Sequence, residues 1–445
     1  MKDLTKFFLL SMMVAPLACT PSDGDSGEED SADSGDPSGD PGECVANEEV
    51  TGEITEDTTW ACDKILGDLV TVSNNAVLTI DPGVVVRGKS GSALIVAQGS
   101  RLEAAGTKDA PIVFTSAEPE GGRARGDWGG LVLLGNAATN LEGGTGLAEG
   151  LEKNSAFGGG TSPDKAYSCG TLKYVRVEFA GFELTTDNEL NGIGLYACGS
   201  GTVVDYVQVH MGDDDGLESF GGSWNGSHIV ISGAADDALD LDAGYQGKLQ
   251  YVLIQQDPAV GNYGFEWSNQ SVKFDAKPTT TPVISNVTLI GTGAANDTKS
   301  SGIKLKEGTA AQIHNAIVTN FYLAQVELTE TATEDQADAG NIVIKNTLFF
   351  GNSLKDDGAT PYIGGDGSDF DIPALVENPD SRNLIGVDPK LGNIAWGSLD
   401  AAPAAGSPVL GAGQAVDGLE ATDYLGAIKD AESDWTKGWT NWSPN

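Results

Sequence analysis

The chain has 445 residues, of which 65 are acidic and 25 basic, so its formal net charge is −40. This negative charge argues against nucleic acid and anionic membrane surfaces as partners, because both bind basic protein faces. A chain of this length is long for one compact core, whereas a solenoid buries each coil only against its neighbours. We therefore expect a highly soluble acidic protein.

The first 18 residues resemble a secretion signal. Two lysines provide a positive end, and the apolar run over residues 7–17 is too short to span a membrane. The run ends in Leu17-Ala18-Cys19, which is similar to the lipobox of bacterial lipoproteins. That resemblance implies lipidation of Cys19, and Thr20 after it implies the outer membrane. We therefore expect an exported outer-membrane lipoprotein on the cell surface, with an ordinary signal peptide cleaved near Ala18 as the alternative.

An acidic segment follows the predicted lipidation site. Residues 20–43 contain only Thr, Pro, Ser, Asp, Gly, Glu and Ala, with nine acidic residues and no basic one. Such a segment cannot bury enough apolar surface to fold. It is predicted to be a disordered tether that holds the folded part away from the bilayer.

Short alternating strands repeat along the remainder of the chain, and no segment has a sustained helical period. One set has a small residue, then an apolar one, then a charged one, and its members start 22, 26 and 38 residues apart. Its members are Asp215-Gly216-Leu217-Glu218-Ser219-Phe220, Asp237-Ala238-Leu239-Asp240-Leu241-Asp242, Tyr263-Gly264-Phe265-Glu266-Trp267-Ser268 and Ser301-Gly302-Ile303-Lys304-Leu305-Lys306. A repeat of this length predicts stacked units with one face of each strand inward.

A second set of strands interleaves with the first. It runs from residues 173–177 to 345–349, and Asn286, Asn315 and Asn346 recur at one position within it, where they could stack as an internal amide ladder. Two or more strands per coil predict an all-β fold, a right-handed parallel β-helix (a pectin-lyase-like solenoid). A β-propeller, the alternative, would need a periodic blade motif. The expected organisation is a signal peptide over 1–18, lipidated Cys19 and tether over 19–43, the β-helix over 44–415 and a C-terminal cap over 416–445.

Several stretches resemble a family of bacterial surface β-helix proteins, often lipoproteins, whose biochemical role is largely unknown. The resemblance covers about residues 50–445 and implies the fold rather than an activity. The matching stretches are AVLTIDPGVVV at 76–86, GDWGGLVLLGNA at 126–137, GTLKYVRVEFAG at 170–181, DYLGA at 423–427 and WTKGWT at 435–440.

The charged side chains of the first strand set are predicted to form an outward column, because adjacent rungs lie about 4.8 Å apart. Crowded carboxylates repel, and they respond by binding a proton or a hard cation such as Ca²⁺. A solvated acidic face relieved by Lys304 and Lys306 is the third interpretation. The candidate metal ligands are Asp213, Asp214, Asp215, Glu218, Asp236, Asp240 and Glu266.

A weaker resemblance, to polygalacturonase-type glycosidases, follows the same rungs. The four family motifs align with Asp213-Asp214-Asp215, Asp236-Asp237, Asn262-Tyr263-Gly264 and Lys304-Leu305-Lys306, with Tyr263 in place of a histidine and Lys304 in place of an arginine. The resemblance implies a catalytic set of Asp215, Asp236 and Asp237. It also implies substrate binding by Tyr263, Lys304 and Lys306.

Four cysteines follow Cys19. Cys44 and Cys62 flank the start of the folded part, and Cys169 and Cys198 lie about one coil apart. We expect the disulfides Cys44–Cys62 and Cys169–Cys198, which an exported protein permits, with free buried thiols as the alternative.

Other residue patterns give structural expectations. The three histidines have no zinc spacing and are expected to be satisfied polar residues on strands. Trp224, Phe220 and Tyr245 could stack on sugar rings or fill the interior. Trp435, Trp439 and Trp442 are expected to cover the last coil, which would otherwise expose a sheet edge.

Two functions from different classes remain open on the sequence alone. The first is a non-enzymatic surface module that binds polysaccharide or surface matrix, with Ca²⁺ on the acidic rungs. The second is a polysaccharide-degrading glycosidase that uses Asp215, Asp236 and Asp237. A neutral or cationic polysaccharide is the expected substrate of the enzyme, because the protein's charge opposes a polyanion.

Overall fold

The computed structural model describes residues 44–151, 155–185, 188–293, 300–353, 361–365 and 370–445. The predicted signal peptide, Cys19 and the acidic tether lie outside these ranges. Within them, no helix combines the length and the apolar character needed to cross a membrane.

Almost all regular structure is short β-strand. The strands are β1 Glu48–Ile54, β2 Thr58–Trp60, β3 Lys64–Val72, β4 Val77–Ile80, β5 Val85–Gly88, β6 Ala93–Val96, β7 Arg101–Ala105, β8 Ile112–Ser116, β9 Leu131–Leu134, β10 Gly146–Leu147, β11 Ala156–Phe157, β12 Gly170–Glu178, β13 Glu183–Thr185, β14 Asn188–Glu189, β15 Ile193–Tyr196, β16 Val203–His210, β17 Leu217–Phe220, β18 Asn225–Ser232, β19 Leu239–Asp242, β20 Lys248–Gln255, β21 Tyr263–Trp267, β22 Val283–Ile290, β23 Ser301–Leu305, β24 Ala311–Thr319, β25 Ala324–Leu328, β26 Ile342–Lys345, β27 Leu348–Phe350, β28 Tyr362–Gly364 and β29 Leu384–Ile385. The helices are α1 Thr331–Asp338 and α2 Ile372–Val376.

The strands stack in parallel with strands from neighbouring coils. The ladder sheet contains β6, β9, β15, β17, β19, β21, β23, β25 and β28 in that order. The corner sheet contains β5, β8, β12, β16, β18, β20, β22 and β24, followed by β26 and β27. A shorter sheet joins β2, β4, β7 and the first half of β12. The fold is therefore a parallel β-helix, and the predicted fold class is confirmed.

The core fills the inside of the coils. In the ladder sheet, Leu217, Leu239, Phe265, Ile303 and Val326 lie in register on successive strands, and all are fully buried. Because side chains alternate between the two faces of a strand, the residues on either side of this column point outward. Stacking of apolar residues therefore fixes the register that brings the charged residues together.

Each long strand of the corner sheet turns through a residue in the left-handed backbone region. These residues occupy equivalent positions, with φ between 47° and 60°. They form the corner column, which comprises Tyr174, Tyr206, His228, Tyr251, Asn286, Asn315 and Asn346. Asparagine tolerates this conformation better than most residues, whereas tyrosine and histidine need compensation from their surroundings. The first four residues stack as rings, with centroids of successive pairs 4.4, 4.1 and 4.9 Å apart.

The C-terminal segment, defined here as residues 386–445, returns along the outside of this corner column. Asn315 Nδ2 donates to the Gln414 carbonyl at 2.8 Å, and Asn286 Nδ2 donates to the Tyr424 carbonyl at 3.1 Å. Farther along, Gln208 Nε2 donates to the Asn441 carbonyl at 2.6 Å. The asparagines therefore bind the C-terminal segment instead of forming the expected internal amide ladder.

The expected cap over the last coil is not what the C-terminal segment forms. The rings of Trp435 and Trp439 approach Tyr206 edge-on, with centroids 6.2 and 6.0 Å away. Trp442 packs in the same lateral apolar cluster. The prediction of a cap was wrong because an alternating pattern fixes the coils, whereas a segment without repeats can pack on any exposed surface.

Both expected disulfides are present. Cys44 is linked to Cys62 and Cys169 to Cys198, with Cα atoms 6.0 and 5.7 Å apart. The helix α1 is a local difference from the expectation of strands alone. It lies between β25 and β26, and its buried residues are Thr333 and Ala337.

Candidate functional site

The outer face of the ladder sheet carries one continuous column in register. Ile95, Val132 and Gly194 come first, and the charged ladder follows: Glu218, Asp240, Glu266, Lys304 and Glu327. The structure therefore brings together the four residues predicted for this column. It adds Glu327, which the pattern Ala324-Gln325-Val326-Glu327-Leu328 could have indicated.

The charged ladder begins where an apolar cover ends. On the first coils, Ile95 and Val132 are buried against Leu151, Phe157 and Leu190. Those covering residues come from the connections that precede β12 and β15. Beyond them, Glu218, Asp240 and Glu266 are all half-buried. The charged ladder is therefore a partly buried face of the sheet rather than a fully solvated one.

Beside the ladder, at the turn before each strand of the ladder sheet, a second column of side chains accepts hydrogen bonds from backbone N–H groups. Asn191 Oδ1 accepts the Asp215 N–H at 3.2 Å, and Asp215 Oδ1 accepts the Asp237 N–H at 2.9 Å. Asp237 Oδ1 in turn accepts the Tyr263 N–H at 2.7 Å. Asn191 Nδ2 also donates to Glu218 Oε2. This turn column, Asn191–Asp215–Asp237, therefore fixes each coil to the next.

The carboxylates of the turn column and the ladder meet in three overlapping groups. Within each group, one oxygen from every residue lies within 4.8 Å of the others. The groups are Asp214–Asp215–Asp236, Asp215–Glu218–Asp240 and Asp237–Asp240–Glu266. Asp213, a predicted ligand, is in none of them, because it lies against Gly126 and Gly181. Asp237, which was predicted as a catalytic residue, joins the third group.

Burial and mutual repulsion raise the pKa values of four of these carboxyls. Burial raises the pKa of Asp215 and of Glu218 well above the usual range, and the neighbouring Asp240 carboxylate raises both further. The pKa of Asp240 is also raised, first by burial and then by Glu266. Burial, followed by the charge of Asp215, raises the pKa of Asp237. The Glu218 and Asp240 end of the charged ladder therefore has an excess of carboxylates over positive charges.

Two lysines neutralise the other end of the charged ladder. Glu266 accepts from Lys306 Nζ at 2.6 Å, and Lys304 Nζ lies 3.7 Å from its other oxygen. Lys304 Nζ also donates to the Tyr263 hydroxyl at 3.0 Å and lies 4.0 Å from Glu327. Burial alone would lower the pKa of Lys306, but the Glu266 carboxylate outweighs it and raises that pKa. Of the predicted substrate-binding residues, Lys304 thus contacts Tyr263 and Glu266, and Lys306 contacts Glu266.

The geometry of the central group, Asp215–Glu218–Asp240, matches the needs of a hard cation. Calcium binds oxygens at about 2.3–2.6 Å, so two ligands of one ion lie at most about 4.6–5.2 Å apart. One oxygen from each of the three residues lies within 4.8 Å of the others, so the three are close enough to share one ion. In addition, Asp240 Oδ1 is buried and has no hydrogen-bond partner among the described residues. A cation here would satisfy that oxygen and displace the protons.

The residues expected to bind or cleave a glycan differ in access. Asp215 and Asp237 are only 7% and 3% exposed, and each uses one oxygen on a backbone N–H. Asp236 is exposed, and its Oδ1 accepts from Asn262 Nδ2 at 2.7 Å. Trp224 and Tyr245 are fully buried and cannot stack on a sugar. Of the three predicted catalytic residues, Asp236 is therefore exposed to solvent, and Asp215 and Asp237 are not.

His210 and His228 lie within hydrogen-bonding networks, as expected. His210 is buried between Ser232 Oγ and the Ser443 carbonyl, and His228 contacts Asp205 at 3.0 Å. Burial lowers the pKa of His210 and of His314, so both favour the neutral form.

Comparisons with known proteins identify the fold family. Neither a search of curated proteins nor a search of solved structures found a match to this chain. One family model, described as a pectate-lyase-like beta-helix domain, matches residues 52–368, which is more than half of the chain. The parallel coils of the structure span the same region. The chain therefore belongs to the pectate-lyase-like beta-helix domain family.

Proposed function

We propose that the protein is a non-enzymatic surface module that holds a divalent cation, Ca²⁺, on its acidic ladder and binds polysaccharide or surface matrix. The observation that carries the cation half is the central group Asp215–Glu218–Asp240 with the unpartnered oxygen of Asp240. The three carboxylates have six oxygens, of which one of Asp215 and one of Glu218 already accept hydrogen bonds. The remaining four can bind Ca²⁺, which takes six to eight oxygens, with water for the remainder. The ion joins successive coils and so stabilises the fold.

The proposed location follows from the N-terminal sequence. A signal-like segment, a lipobox-like Leu17-Ala18-Cys19 and an acidic tether fit an outer-membrane lipoprotein at the cell surface. An extracellular setting also supplies Ca²⁺ at concentrations that weak sites can use. Replacing Cys19 by Ala releases the protein from the membrane fraction if the lipid anchor is real. Unchanged membrane association would contradict the anchor.

Thermal unfolding in Ca²⁺ and in EDTA tests the cation half. An ion at a hundred times its Kd stabilises the folded state by about 2.7 kcal/mol, which raises the midpoint by about 2–6 °C. Asp240→Asn removes one ligand charge and should abolish the rise. Asp109→Asn, an exposed aspartate in a turn away from the ladder, is the matched control and should keep it. An equal rise in both variants would place the ion elsewhere, and no rise in the unsubstituted protein would remove the cation.

A glycosidase is the second candidate, favoured by the raised pKa values of carboxyls that lie close to other carboxyls. The low exposure of Asp215 and Asp237 argues against it. Detection of new reducing ends on a panel of polysaccharides separates the two functions. Turnover that disappears in both Asp236→Asn and Asp237→Asn would establish the enzyme. Absence of turnover on every glycan that binds supports the non-enzymatic module.

A further inference from the structure

A second cleft shares no residue with the charged ladder and is not part of the site described above. It lies between the corner column and the C-terminal segment and has a volume of about 700 Å³. Its floor is formed by Tyr206, His228 and Tyr251, and its wall includes Glu420, Tyr424 and Trp435. Small-molecule sites have volumes of about 300–1,000 Å³, so the cleft is large enough for one or two sugar rings.

The floor and wall are aromatic, but each aromatic group also carries a polar atom. Tyr206 and His228 stack with centroids 4.1 Å apart, and Trp435 meets them edge-on at 6.2 and 5.1 Å. Trp435 is half-buried, and its N–H donates to the Ala427 carbonyl at 2.8 Å. Burial raises the pKa of Tyr206 and of Tyr424 to about 12, so both phenols stay neutral at physiological pH.

Carboxylates and a lysine surround this aromatic surface. Glu420 is exposed, and its Oε2 accepts from the Tyr251 hydroxyl at 3.0 Å. Lys429 Nζ contacts Asp423 Oδ1 at 3.3 Å and lies 5.8 Å from the Tyr424 ring centroid. The carboxylate oxygens keep lone pairs for hydroxyl donors, and the ammonium group keeps donors for hydroxyl acceptors. The cleft thus combines an apolar surface with hydrogen-bonding groups at its rim.

We infer that this cleft binds a neutral saccharide, with one sugar ring against Trp435 and its hydroxyls on Glu420 and Lys429. Sugar rings present C–H groups on their faces and hydroxyls around their edges, which matches an aromatic surface with a charged rim. The inference locates the glycan-binding half of the proposed function and therefore rests on it. The net charge of −40 and the rim carboxylates oppose a polyanionic sugar.

Calorimetric titration of the whole folded protein tests the inference with defined probes. The neutral probes are cellotetraose, xylotetraose, mannotetraose and chitotetraose, and tetragalacturonate is the polyanionic comparison. We expect at least one neutral probe to bind and tetragalacturonate to bind more weakly. Trp435→Ala should weaken binding at least about tenfold, because a small pocket loses an aromatic wall. Trp442→Ala is the matched control, since Trp442 is half-buried in the same segment but does not line the cleft.

A second pair of variants keeps the test decisive if Trp435→Ala unfolds. Glu420→Gln preserves the shape and should weaken binding about threefold or more, because hydrogen bonds to a charged acceptor are stronger. Glu432→Gln, at an exposed position outside the cleft, should have no effect. If a probe binds and all four variants bind it equally, the cleft is wrong and the proposed function stands. If no probe binds, the glycan-binding half of the proposed function fails as well. If tetragalacturonate binds most tightly, the inference that the ligand is neutral is wrong.

Discussion

At the scale of single residues, the two aspartates of the turn column bind backbone N–H groups, which a cation cannot do. Asp215 and Asp237 each accept a backbone N–H from the next coil, and both are almost completely buried. A buried N–H without a partner costs about 1–3 kcal/mol. One oxygen of each carboxylate therefore holds the coils together, and only the other is left to face a ligand.

Substitution of Asp237 separates these two tasks. Asp237→Asn keeps an oxygen for the Tyr263 N–H and removes a crowded charge, so stability without Ca²⁺ should stay equal or rise. Asp237→Ala leaves that N–H unpaired and should lower the unfolding free energy by about 1–3 kcal/mol. Denaturant titration in EDTA measures both. Equal stability of the two variants would contradict the capping role.

Alternation and repeat length predict the column Glu218–Asp240–Glu266–Lys304, because a strand period of two fixes which residues share a face. They do not predict how Asn191 contacts Glu218 or why Asp213 lies apart. Those details depend on turn conformation and on Gly126 and Gly181, which approach from other coils. The two disulfides were predictable, because one coil separates Cys169 from Cys198.

At the scale of elements, the corner column explains how the C-terminal segment is held. Asn315 makes two hydrogen bonds to Gln414, from Nδ2 to the carbonyl at 2.8 Å and from the Gln414 N–H to Oδ1 at 3.0 Å. Its own backbone is left-handed at a φ of 51°, a conformation that asparagine tolerates. One residue type thus serves both the turn of the strand and the docking of the segment.

Loss of the Asn315 side chain should loosen this segment locally. Asn315→Ala removes both bonds to Gln414 and adds the cost of alanine in a left-handed conformation, in total about 2–4 kcal/mol. Limited proteolysis should then cut faster within residues 411–426, while the coils stay resistant. Asn225→Ala, which removes one bond to the exposed Lys248 N–H, is the control. Unchanged cleavage of the Asn315 variant would show that other contacts hold the segment.

The coils and the C-terminal segment differ in how far sequence predicts them. Each coil repeats the same alternating pattern, so the alignment of residues found for one pair of strands applies to many pairs. The β-helix could be predicted from those repeats. The segment has no repeat, and its docking depends on matching the corner column with groups such as Trp435 and Gln414. Such a match between distant surfaces has no periodic signal, which is why a cap over the last coil was expected instead.

At the scale of the whole molecule, the excess of carboxylates connects stability to pH. Asp215, Glu218, Asp237 and Asp240 all have pKa values well above the usual range, because burial and repulsion favour their protonated forms. In the unfolded chain such carboxyls titrate near pH 4. Above that pH the folded protein therefore binds more protons than the unfolded chain does, so stability falls as the pH rises.

Calcium should weaken this trend, because it binds the ionised carboxylates and releases their protons. In EDTA, the unfolding midpoint of the unsubstituted protein should fall as the pH rises from about 4.5 to 8. In Ca²⁺ the fall should be smaller, so the two curves should diverge with increasing pH. Asp240→Asn removes one of the groups with a raised pKa and its repulsion on Glu218. In this variant the midpoint in EDTA should therefore depend less on pH, and the EDTA and Ca²⁺ curves should stay close together. Asp109→Asn should behave like the unsubstituted protein. An EDTA curve that is flat or rises over this range would contradict the raised pKa values of these four carboxyls. Parallel curves would contradict competition between Ca²⁺ and protons.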